Sequence, residues 1–395
     1  MKVFIEGSHA VAEAVKMIKP KVVCAYPITP QTHIVERLSE MVANGALKSE
    51  YVNVESEHSA ASVVLGSTAT GARSYTATSS QGLILMSEVL FNIAGMRLPV
   101  VLTCVNRALS APINIWNDHQ DSMTIRDAGW MQFYAENNQE SHDLHFLAYK
   151  IAENKDIMLP VMVCMDGFIL SHGYEVVDIA TQEQVDQYIP PYEPAYKLDP
   201  QEPLTMGLLG APDVYMETRY AIQKTMDETL SVIEKEEIEF EKTFGRKTPL
   251  LIEEYKLEGA EKVLIAMGSI TGTIKDVVDE LREKGEKVGL LKIVCYRPFP
   301  QEKIYEALKS VKKIGVIDKA ISLGSSGPLH LEVAALMQSK GESKPVSSFI
   351  AGLGGRDIKP KTIVGIFNLM DKDPQGVNFV DLNKWYKEES AIMIS

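Results

Sequence analysis

The chain has 395 residues, of which 45% are hydrophobic and 24% charged, an ordinary composition for a globular protein in which two domains are expected. Asp and Glu total 53 against 40 Lys and Arg, and the net charge of -13 argues against a nucleic-acid partner or an anionic membrane surface. The sequence contains no 18-residue apolar run and no signal peptide. We therefore expect a cytoplasmic protein.

The four cysteines are widely separated, and they lie within or at the end of apolar runs: Cys24, Cys104, Cys164 and Cys295. No C-x-x-C pair is present, so the chain lacks the signature of an iron–sulfur cluster, a zinc site or a disulfide framework. We predict buried free thiols in a reducing compartment and no metal ligand in this chain.

Short apolar strands alternate with helices through the first part of the chain, which predicts a mostly parallel sheet covered on both faces. The predicted strands are residues 21–25, 51–54, 73–78, 98–105 and 160–165, and the predicted helices are residues 31–44, 57–70, 81–93 and 143–153. We read no internal repeat from the sequence.

A change of composition follows, because residues 187–203 are rich in Pro and Tyr and are typical of an extended connector. A long charged helix is predicted over residues 214–247, and a second α/β unit from about residue 248. We therefore divide the chain into domains of residues 1–245 and 246–395. In the second domain we predict strands at 263–267, 288–294, 314–318 and 346–350, and helices at 275–284, 302–311 and 329–338.

Two glycine-rich turns follow strands in the second domain, at residues 268–272 and 352–357. Backbone amides in such turns can hold phosphate. Neither turn has the spacing of a dinucleotide fingerprint or of a P-loop, so tight strand-to-helix turns are the favoured interpretation.

The stretch YPITP, residues 26–30, lies between the first predicted strand and the first predicted helix. Its two prolines fix their own φ angles and keep the residue before each of them out of helical space. The hydroxyl of Thr29 is therefore held at the carboxyl end of a strand, where ligands of open α/β sheets bind. A rigid loop with no ligand is the alternative interpretation.

Charged side chains follow two other predicted strands. Glu57 begins a nearly uncharged helix, where a carboxylate is partly desolvated and needs a partner; stabilisation at a helix N-terminus is the structural alternative. Arg107 ends an apolar strand, so its guanidinium pairs either with a structural carboxylate or with an anionic ligand. The polar run at residues 114–123 predicts a functional loop. His119 with Asp118 and Asp121 matches no standard metal-ligand spacing.

Several motifs together resemble the α subunit of pyruvate:ferredoxin oxidoreductases of the four-subunit type, over nearly the whole chain. These motifs are YPITP (26–30), ESEHSA (55–60), TATSSQGL (76–83), NRALSAPINIWNDHQDSM (106–123), RDAGWMQFYAENNQE (126–140), YRPFP (296–300) and AGLGGRD (351–357).

The resemblance implies an α/β fold with the pyrimidine-type domain of a thiamine-diphosphate enzyme and a transketolase C-terminal-like domain. It also implies that the cofactors of the reaction are distributed among the α, β, γ and δ subunits of a hetero-oligomer. The β subunit holds the diphosphate, its Mg²⁺ and one [4Fe–4S] cluster, and a ferredoxin-like subunit carries two more clusters. Thiamine diphosphate would thus be shared between this chain and the β subunit.

The implied reaction is the reversible oxidative decarboxylation of pyruvate to acetyl-CoA and CO2, with coenzyme A as co-substrate and ferredoxin as electron acceptor. Glu57 would share a proton with N1′ of the aminopyrimidine, and Thr29 and Arg107 would bind the 2-oxoacid. The predicted cofactor-binding residues are Pro27, Ile28, Thr29 and Glu57, and the predicted substrate-binding residues are Thr29, Arg107, Asn114 and Asp118.

Two alternatives stay open at this point. The same chemistry could act on another 2-oxoacid, such as 2-oxoglutarate, 2-oxobutyrate, a branched-chain 2-oxoacid or oxalate, because Thr29 and Arg107 would bind the head group that all of these share. The chain could also be a non-catalytic scaffold subunit of such a complex. The sequence assigns no role to the GLGGRD turn beyond subunit contact or folding.

Overall fold

The computed structural model describes residues 1–383, which form two compact units. Unit 1 consists of Met1–Glu253 together with the short segments Met267–Ser269 and Ile293–Pro300. Unit 2 consists of Glu254–Ala266, Ile270–Lys292 and the described residues from Gln301 onward. The division at residues 245 and 246 stays a prediction about domains.

The elements alternate as expected for an α/β protein. The strands are β1 (Lys2–Glu6), β2 (Val22–Cys24), β3 (Glu50–Val52), β4 (Ser74–Thr78), β5 (Val101–Asn106), β6 (Met131–Tyr134), β7 (Val161–Asp166), β8 (Tyr174–Asp178), β9 (Ile252–Tyr255), β10 (Lys262–Ala266), β11 (Val288–Ile293), β12 (Cys295–Arg297), β13 (Lys313–Asp318), β14 (Val346–Ile350) and β15 (Val377–Phe379). The helices are α1 (Gly7–Ile18), α2 (Thr32–Ala43), α3 (Glu57–Ala69), α4 (Ser80–Leu85), α5 (Ser87–Gly95), α6 (Gln120–Thr124), α7 (Asn138–Ala152), α8 (Gln182–Tyr188), α9 (Pro212–Phe244), α10 (Ile270–Glu283), α11 (Gln301–Leu308), α12 (Pro328–Ser339) and α13 (Pro360–Met370).

Unit 1 is built on a seven-stranded sheet with the order β12-β6-β7-β5-β4-β2-β3. All of its pairings are parallel except that of β12 with β6. Every residue of β5 and β7 is buried, because helices cover both faces of the sheet. Helix α2 turns its buried residues Ile34, Val35, Leu38 and Met41 to one side, as an amphipathic surface helix does.

Unit 2 contains a six-stranded sheet with the order β15-β14-β13-β10-β11-β9. Its central strands pair in parallel, and its core includes Leu264, Ile274, Val278, Phe349 and Ile366. The turn at residues 352–357 contains a short 3-10 helix, Leu353–Gly355. No helix in residues 1–383 combines the length and the apolar character needed to cross a bilayer.

The predicted α/β class with mostly parallel sheets is confirmed, but several elements differ from the sequence-based expectation. The predicted helix at 81–93 is two helices, α4 and α5. The sequence predicted no element before residue 21, but the first residues form β1 and α1, and β1 pairs antiparallel with β8. Strands β6, β8, β9, β12 and β15 were also missed, because they are short or half-buried and gain their stability from distant partners.

The predicted free thiols are confirmed, since all four cysteines are buried and unpaired. Burial raises the pKa of Cys24 to about 11, and burial also raises the pKa of Cys104 well above its ordinary value. Cys104 of β5 lies directly opposite Cys164 of β7 in the sheet register.

Candidate active site

Four parallel strands of unit 1, in the order β5-β4-β2-β3, end at the same edge of the sheet. The chain that leaves each of them carries one of the residues considered below. Arg107 follows β5, Gly82 lies shortly after β4, Thr29 follows β2, and Glu57 follows β3. Parallel packing therefore gathers side chains that are up to 78 positions apart in the chain, the separation between Thr29 and Arg107.

The fully buried residue Gln31 holds the turn that carries Thr29 through two hydrogen bonds of its side chain. The Gln31 side chain donates to the Ala77 carbonyl oxygen at 2.8 Å and accepts from the backbone N–H of Ile28 at 3.2 Å. Thr29 itself is exposed, Pro27 is exposed, and Ile28 is half-buried. The contacts of Gln31 thus hold the turn, while Thr29 stays accessible.

Glu57 is the first residue of α3, and its side chain is buried, with 7% of the residue exposed. The N-cap Ser56 accepts a hydrogen bond from the Ser59 N–H at 3.3 Å, which fixes the start of the helix. Exposed amides in the first turn stabilise a carboxylate at this position. Within residues 1–383, no side chain or backbone amide donates a hydrogen bond to the Glu57 carboxylate.

Gly82 of α4 lies against Glu57. A methyl group at Gly82 would lie 2.6 Å from Glu57 Oε1 and 2.5 Å from Thr78 Oγ1. The hydroxyls of Thr78 and Ser79 are buried and have no hydrogen-bond partner among the described residues. Glycine is therefore needed for close packing here, and a buried carboxylate lies beside buried hydroxyls that this chain does not satisfy.

Arg107 is buried, with 7% of the residue exposed, and its guanidinium contacts two carbonyl oxygens. Its Nη1 donates to Thr29 O at 2.9 Å, and its Nε donates to Asn114 O at 2.8 Å. No carboxylate among residues 1–383 lies within ion-pair distance of this guanidinium. Burial lowers the pKa of Arg107, so an anion beside it would stabilise its charge.

The side chain of Asp121 connects the segment that follows β4 to the segment that follows β5. Its buried carboxylate accepts from the backbone N–H groups of Ser80 at 2.9 Å and Arg107 at 3.0 Å. It also accepts from the Asn106 side chain and the Ser122 N–H, both at 2.8 Å. Burial raises the pKa of Asp121, and these four hydrogen bonds oppose the rise. Asp121 thereby fixes both the start of α4 and the end of β5.

The predicted loop at 114–123 is more ordered than its polarity suggested, since it ends in α6. Asn114 is half-buried and contacts Arg107 through its carbonyl oxygen. Asp118 is buried and accepts from the Gln120 N–H at 3.0 Å. His119 Nε2 lies 2.7 Å from Asp166 Oδ1. Asp121 already accepts hydrogen bonds from N–H groups and from the Cys104 thiol. These contacts disfavour a metal site formed by Asp118, His119 and Asp121.

Sequence reasoning placed Thr29, Glu57 and Arg107 at strand ends, and the structure brings these strand ends to one edge. It gave Gly82 no role, and it considered Asp121 only as part of a polar loop and as a disfavoured metal ligand. The TATSSQGL motif contains Gly82, but nothing in a single sequence shows that α4 packs on the first turn of α3. The burial of Asp121 equally depends on contacts from three separate segments.

Comparison with known proteins identifies the family. Residues 13–237 match the model described as "Pyruvate flavodoxin/ferredoxin oxidoreductase, thiamine diP-bdg", and residues 260–363 match "Pyruvate:ferredoxin oxidoreductase core domain II". The chain belongs to the pyruvate:ferredoxin oxidoreductase family. The first matched region is that family's thiamine-diphosphate-binding part, and it contains Thr29, Glu57, Gly82 and Arg107.

Relatives within the pyruvate:ferredoxin oxidoreductase family cover nearly the whole chain. It is 49% identical to the pyruvate synthase subunit PorA of Methanothermobacter thermautotrophicus, over 98% of each chain. It is 53% identical to PorA of Methanocaldococcus jannaschii, over 93% of this chain and 94% of that one. It is 44% identical to the ketoisovalerate oxidoreductase subunit VorA of Pyrococcus horikoshii, over 98% of each chain.

Solved structures agree on the fold of this family member. A 2-oxoglutarate:ferredoxin oxidoreductase from Magnetococcus marinus superposes with a TM-score of 0.72 at 19% identity, over 95% of this chain and 65% of that chain. A split-gene transketolase superposes with a TM-score of 0.56 at 12% identity, over 94% of this chain and 100% of that one. The chain spans just under two thirds of the 2-oxoglutarate enzyme chain. Both superpositions confirm the predicted fold class.

Proposed function

We propose that this chain is the catalytic α subunit of a pyruvate:ferredoxin oxidoreductase and that the edge of β5-β4-β2-β3 holds the aminopyrimidine of thiamine diphosphate. The observation that carries the proposal is the buried Glu57 carboxylate, which receives no hydrogen bond from the described chain and lies beside the unsatisfied Thr78 hydroxyl. Buried polar groups are rarely left unpaired, so this arrangement fits a ligand that supplies ring nitrogens and an amino group.

In this proposal Glu57 holds a proton between its carboxylate and N1′ of the aminopyrimidine. The low local dielectric strengthens that interaction, and the positive end of the α3 helix dipole favours the negative charge of the carboxylate. When bound, thiamine diphosphate supplies the nucleophilic carbon that attacks the 2-oxoacid. Pro27 and Ile28, with Thr29, form the turn beside the cofactor, and Gly82 leaves space for the Glu57 side chain.

Arg107 and Thr29 bind the substrate in the same proposal. A guanidinium has five N–H donors, and the described contacts of Arg107 use its Nε and one terminal nitrogen. The remaining donors and the positive charge of the guanidinium suit the carboxylate of a 2-oxoacid, and the hydroxyl of the exposed residue Thr29 suits its keto oxygen. Asn114 and Asp118 belong to the segment that would line the substrate pocket.

The other parts of the reaction belong to partner subunits. We assign the diphosphate, Mg²⁺ and the iron–sulfur clusters to β, γ and δ subunits of one complex, with coenzyme A as co-substrate and ferredoxin as electron acceptor. The names of the relatives, each a "subunit", support a multi-subunit assembly. The reaction would then be the oxidative decarboxylation of pyruvate to acetyl-CoA, running in either direction in the cytoplasm.

A branched-chain 2-oxoacid is the second candidate substrate, because the chain is 44% identical to a ketoisovalerate oxidoreductase subunit over 98% of both chains. Pyruvate is favoured, since the relatives named pyruvate synthase reach 53% identity. Thr29 and Arg107 would bind the head group common to both acids. Discrimination between the two acids therefore depends on the residues that contact the rest of the substrate.

The test is anaerobic purification of the complex, followed by viologen reduction with pyruvate, 2-oxoisovalerate, 2-oxoglutarate, 2-oxobutyrate and oxalate, with and without coenzyme A. We expect coenzyme A-dependent reduction that is fastest with pyruvate. Glu57→Gln should lower turnover by on the order of 10²–10³ while the complex still assembles. Glu55→Gln is the matched control, because Glu55 is exposed two positions away. Undiminished turnover in Glu57→Gln would refute the assignment.

A further inference from the structure

Three side chains of the types that coordinate metal ions lie close together in unit 1, outside the site described above. Glu6 ends β1, His33 lies in the first turn of α2, and His172 lies in the segment between β7 and β8. Each offers one ligand atom, and these atoms all lie within 4.8 Å of one another. The sequence predicted no metal ligand, because the three residues lie on separate elements and form no spacing motif.

The two imidazoles stack against each other. The ring centroids of His33 and His172 are 4.4 Å apart with an interplanar angle of 34°. His33 Nδ1 lies 2.6 Å from Glu6 Oε1, so the buried carboxylate is already directed at the stack.

Neighbouring groups hold the ligands in place. The Ser171 hydroxyl lies 2.8 Å from His172 Nδ1, which leaves Nε2 of that ring for an ion. The Tyr174 hydroxyl donates a hydrogen bond to Glu6 Oε2 at 3.4 Å. Histidine ligands commonly engage their second nitrogen in such a hydrogen bond. The backbone N–H of Ser8 donates to Ser171 O at 3.0 Å, so the His172 segment is fixed to the start of α1.

We propose that Glu6, His33 and His172 bind one divalent transition-metal ion of the Zn²⁺ class. Two imidazoles and one carboxylate are the ligand set of a three-ligand zinc site, with the fourth position left for water. Tetrahedral ligands about 2.0–2.1 Å from the ion are roughly 3.3 Å apart, so the 2.6 Å pair of His33 and Glu6 opens slightly when the ion binds.

An isolated histidine–carboxylate pair is the competing explanation for Glu6 and His33. Such a pair gives no reason for the position of His172, whose ring lies against that of His33. Because α2 begins two residues after the 26–30 stretch, an ion here would fix the helix that follows Thr29 to the segment after β7. The expected effect of the ion is a gain in stability of unit 1.

The probe is Co²⁺, whose visible absorption reports tetrahedral coordination. The full-length chain is dialysed against EDTA, freed of chelator and titrated with Co²⁺, and Zn²⁺ is then added as competitor. We expect one Co²⁺ per chain, displaced by Zn²⁺, and a higher thermal unfolding midpoint with either ion. Ser171→Ala should weaken the affinity about tenfold, as removal of an outer hydrogen bond to a ligand does.

His33→Asn and His172→Asn should each abolish stoichiometric Co²⁺ binding and the metal-dependent gain in thermal stability. His58→Asn is the matched control, because His58 is a half-buried histidine on α3 and should leave Co²⁺ binding unchanged. Glu6→Gln gives a third variant if either histidine change lowers the unfolding midpoint without metal. The proposal is refuted if the unaltered chain binds no Co²⁺, or if these variants bind it as tightly as the unaltered chain.

Discussion

Arg107 Nη1 donates a hydrogen bond of 2.9 Å to the carbonyl oxygen of Thr29. These residues follow β5 and β2, which are separated in the sheet by β4. The hydrogen bond ties the Thr29 turn to the guanidinium, while Nε ties the guanidinium to the segment beginning at Asn114. Loss of the guanidinium therefore affects the proposed substrate site and also releases the Thr29 turn.

Arg107→Lys should raise the KM for the 2-oxoacid by roughly 10²-fold, because a lysine keeps the charge but cannot hold two carbonyl oxygens in a planar fork. Steady-state kinetics of the purified complex measure this effect. Arg97→Lys is the control, since Arg97 also donates to two backbone carbonyls, those of Ile157 and Met158, away from the site. An unchanged KM in Arg107→Lys would remove Arg107 from substrate binding.

Gly82→Ala should lower activity through Glu57. The added methyl group would lie 2.6 Å from Glu57 Oε1, so the carboxylate must move. We expect at least a tenfold fall in kcat and weaker thiamine diphosphate binding, measured by titration of the cofactor-free complex. Gly66→Ala is the control, because a methyl group there meets nothing within 4 Å and should stabilise α3 by about 0.5–1 kcal/mol. Equal activity of both variants would contradict the role of Gly82.

The strand ends were predictable because apolar runs followed by prolines or by charged residues are local features of the sequence. The segments around Thr29, Glu57 and Arg107 were located in this way, and the parallel order of β5, β4 and β2 brings them to one edge. Contacts between elements were not predictable by the same reasoning. Asp121 lies in a run polar enough to suggest exposure, yet its carboxylate is enclosed by four N–H donors.

Helix α3 shows that composition alone does not predict burial. Its sequence is nearly uncharged, but Ser62 and Gly66 are exposed in this chain, and only one side of the helix packs within unit 1. The pairing of β12 with β6 was equally hidden, because it joins residues 295–297 to residues 132–133. Long-range pairing of short strands leaves little trace in local periodicity.

Asp121→Asn should impair substrate binding by releasing two segments together. The amide offers one acceptor oxygen and directs an NH2 group at backbone donors, so we expect a loss of about 1–3 kcal/mol in stability and a rise in KM. Urea denaturation and kinetics measure the two effects separately. Asp143→Asn is the control, because Asp143 is also buried and binds Arg246 at 2.6 and 2.7 Å, away from the site. This control should lose stability without a change in KM, and the same pattern in Asp121→Asn would show that Asp121 has only a structural role.

Asp318 in unit 2 should make stability depend on pH. It lies at the end of β13, and its buried carboxylate accepts from the backbone N–H groups of Leu329 at 2.8 Å and His330 at 3.1 Å, at the start of α12. Burial raises the pKa of Asp318 from 3.8 to about 7, because desolvation outweighs these two hydrogen bonds. The folded chain therefore holds this proton more tightly than the unfolded chain does.

A raised carboxyl pKa stabilises the folded state below pH 3.8, and this contribution is lost as the pH rises to about 7. Relative to Asp318→Asn, the unaltered chain should therefore lose stability across this range, by on the order of 4 kcal/mol, because each pH unit contributes about 1.4 kcal/mol. Urea denaturation of both chains at several pH values measures the difference. Asp276→Asn, which removes an exposed carboxylate of the same unit, controls for the loss of a negative charge. A difference between Asp318→Asn and the unaltered chain that stays constant with pH would show that Asp318 keeps its ordinary acidity despite its burial.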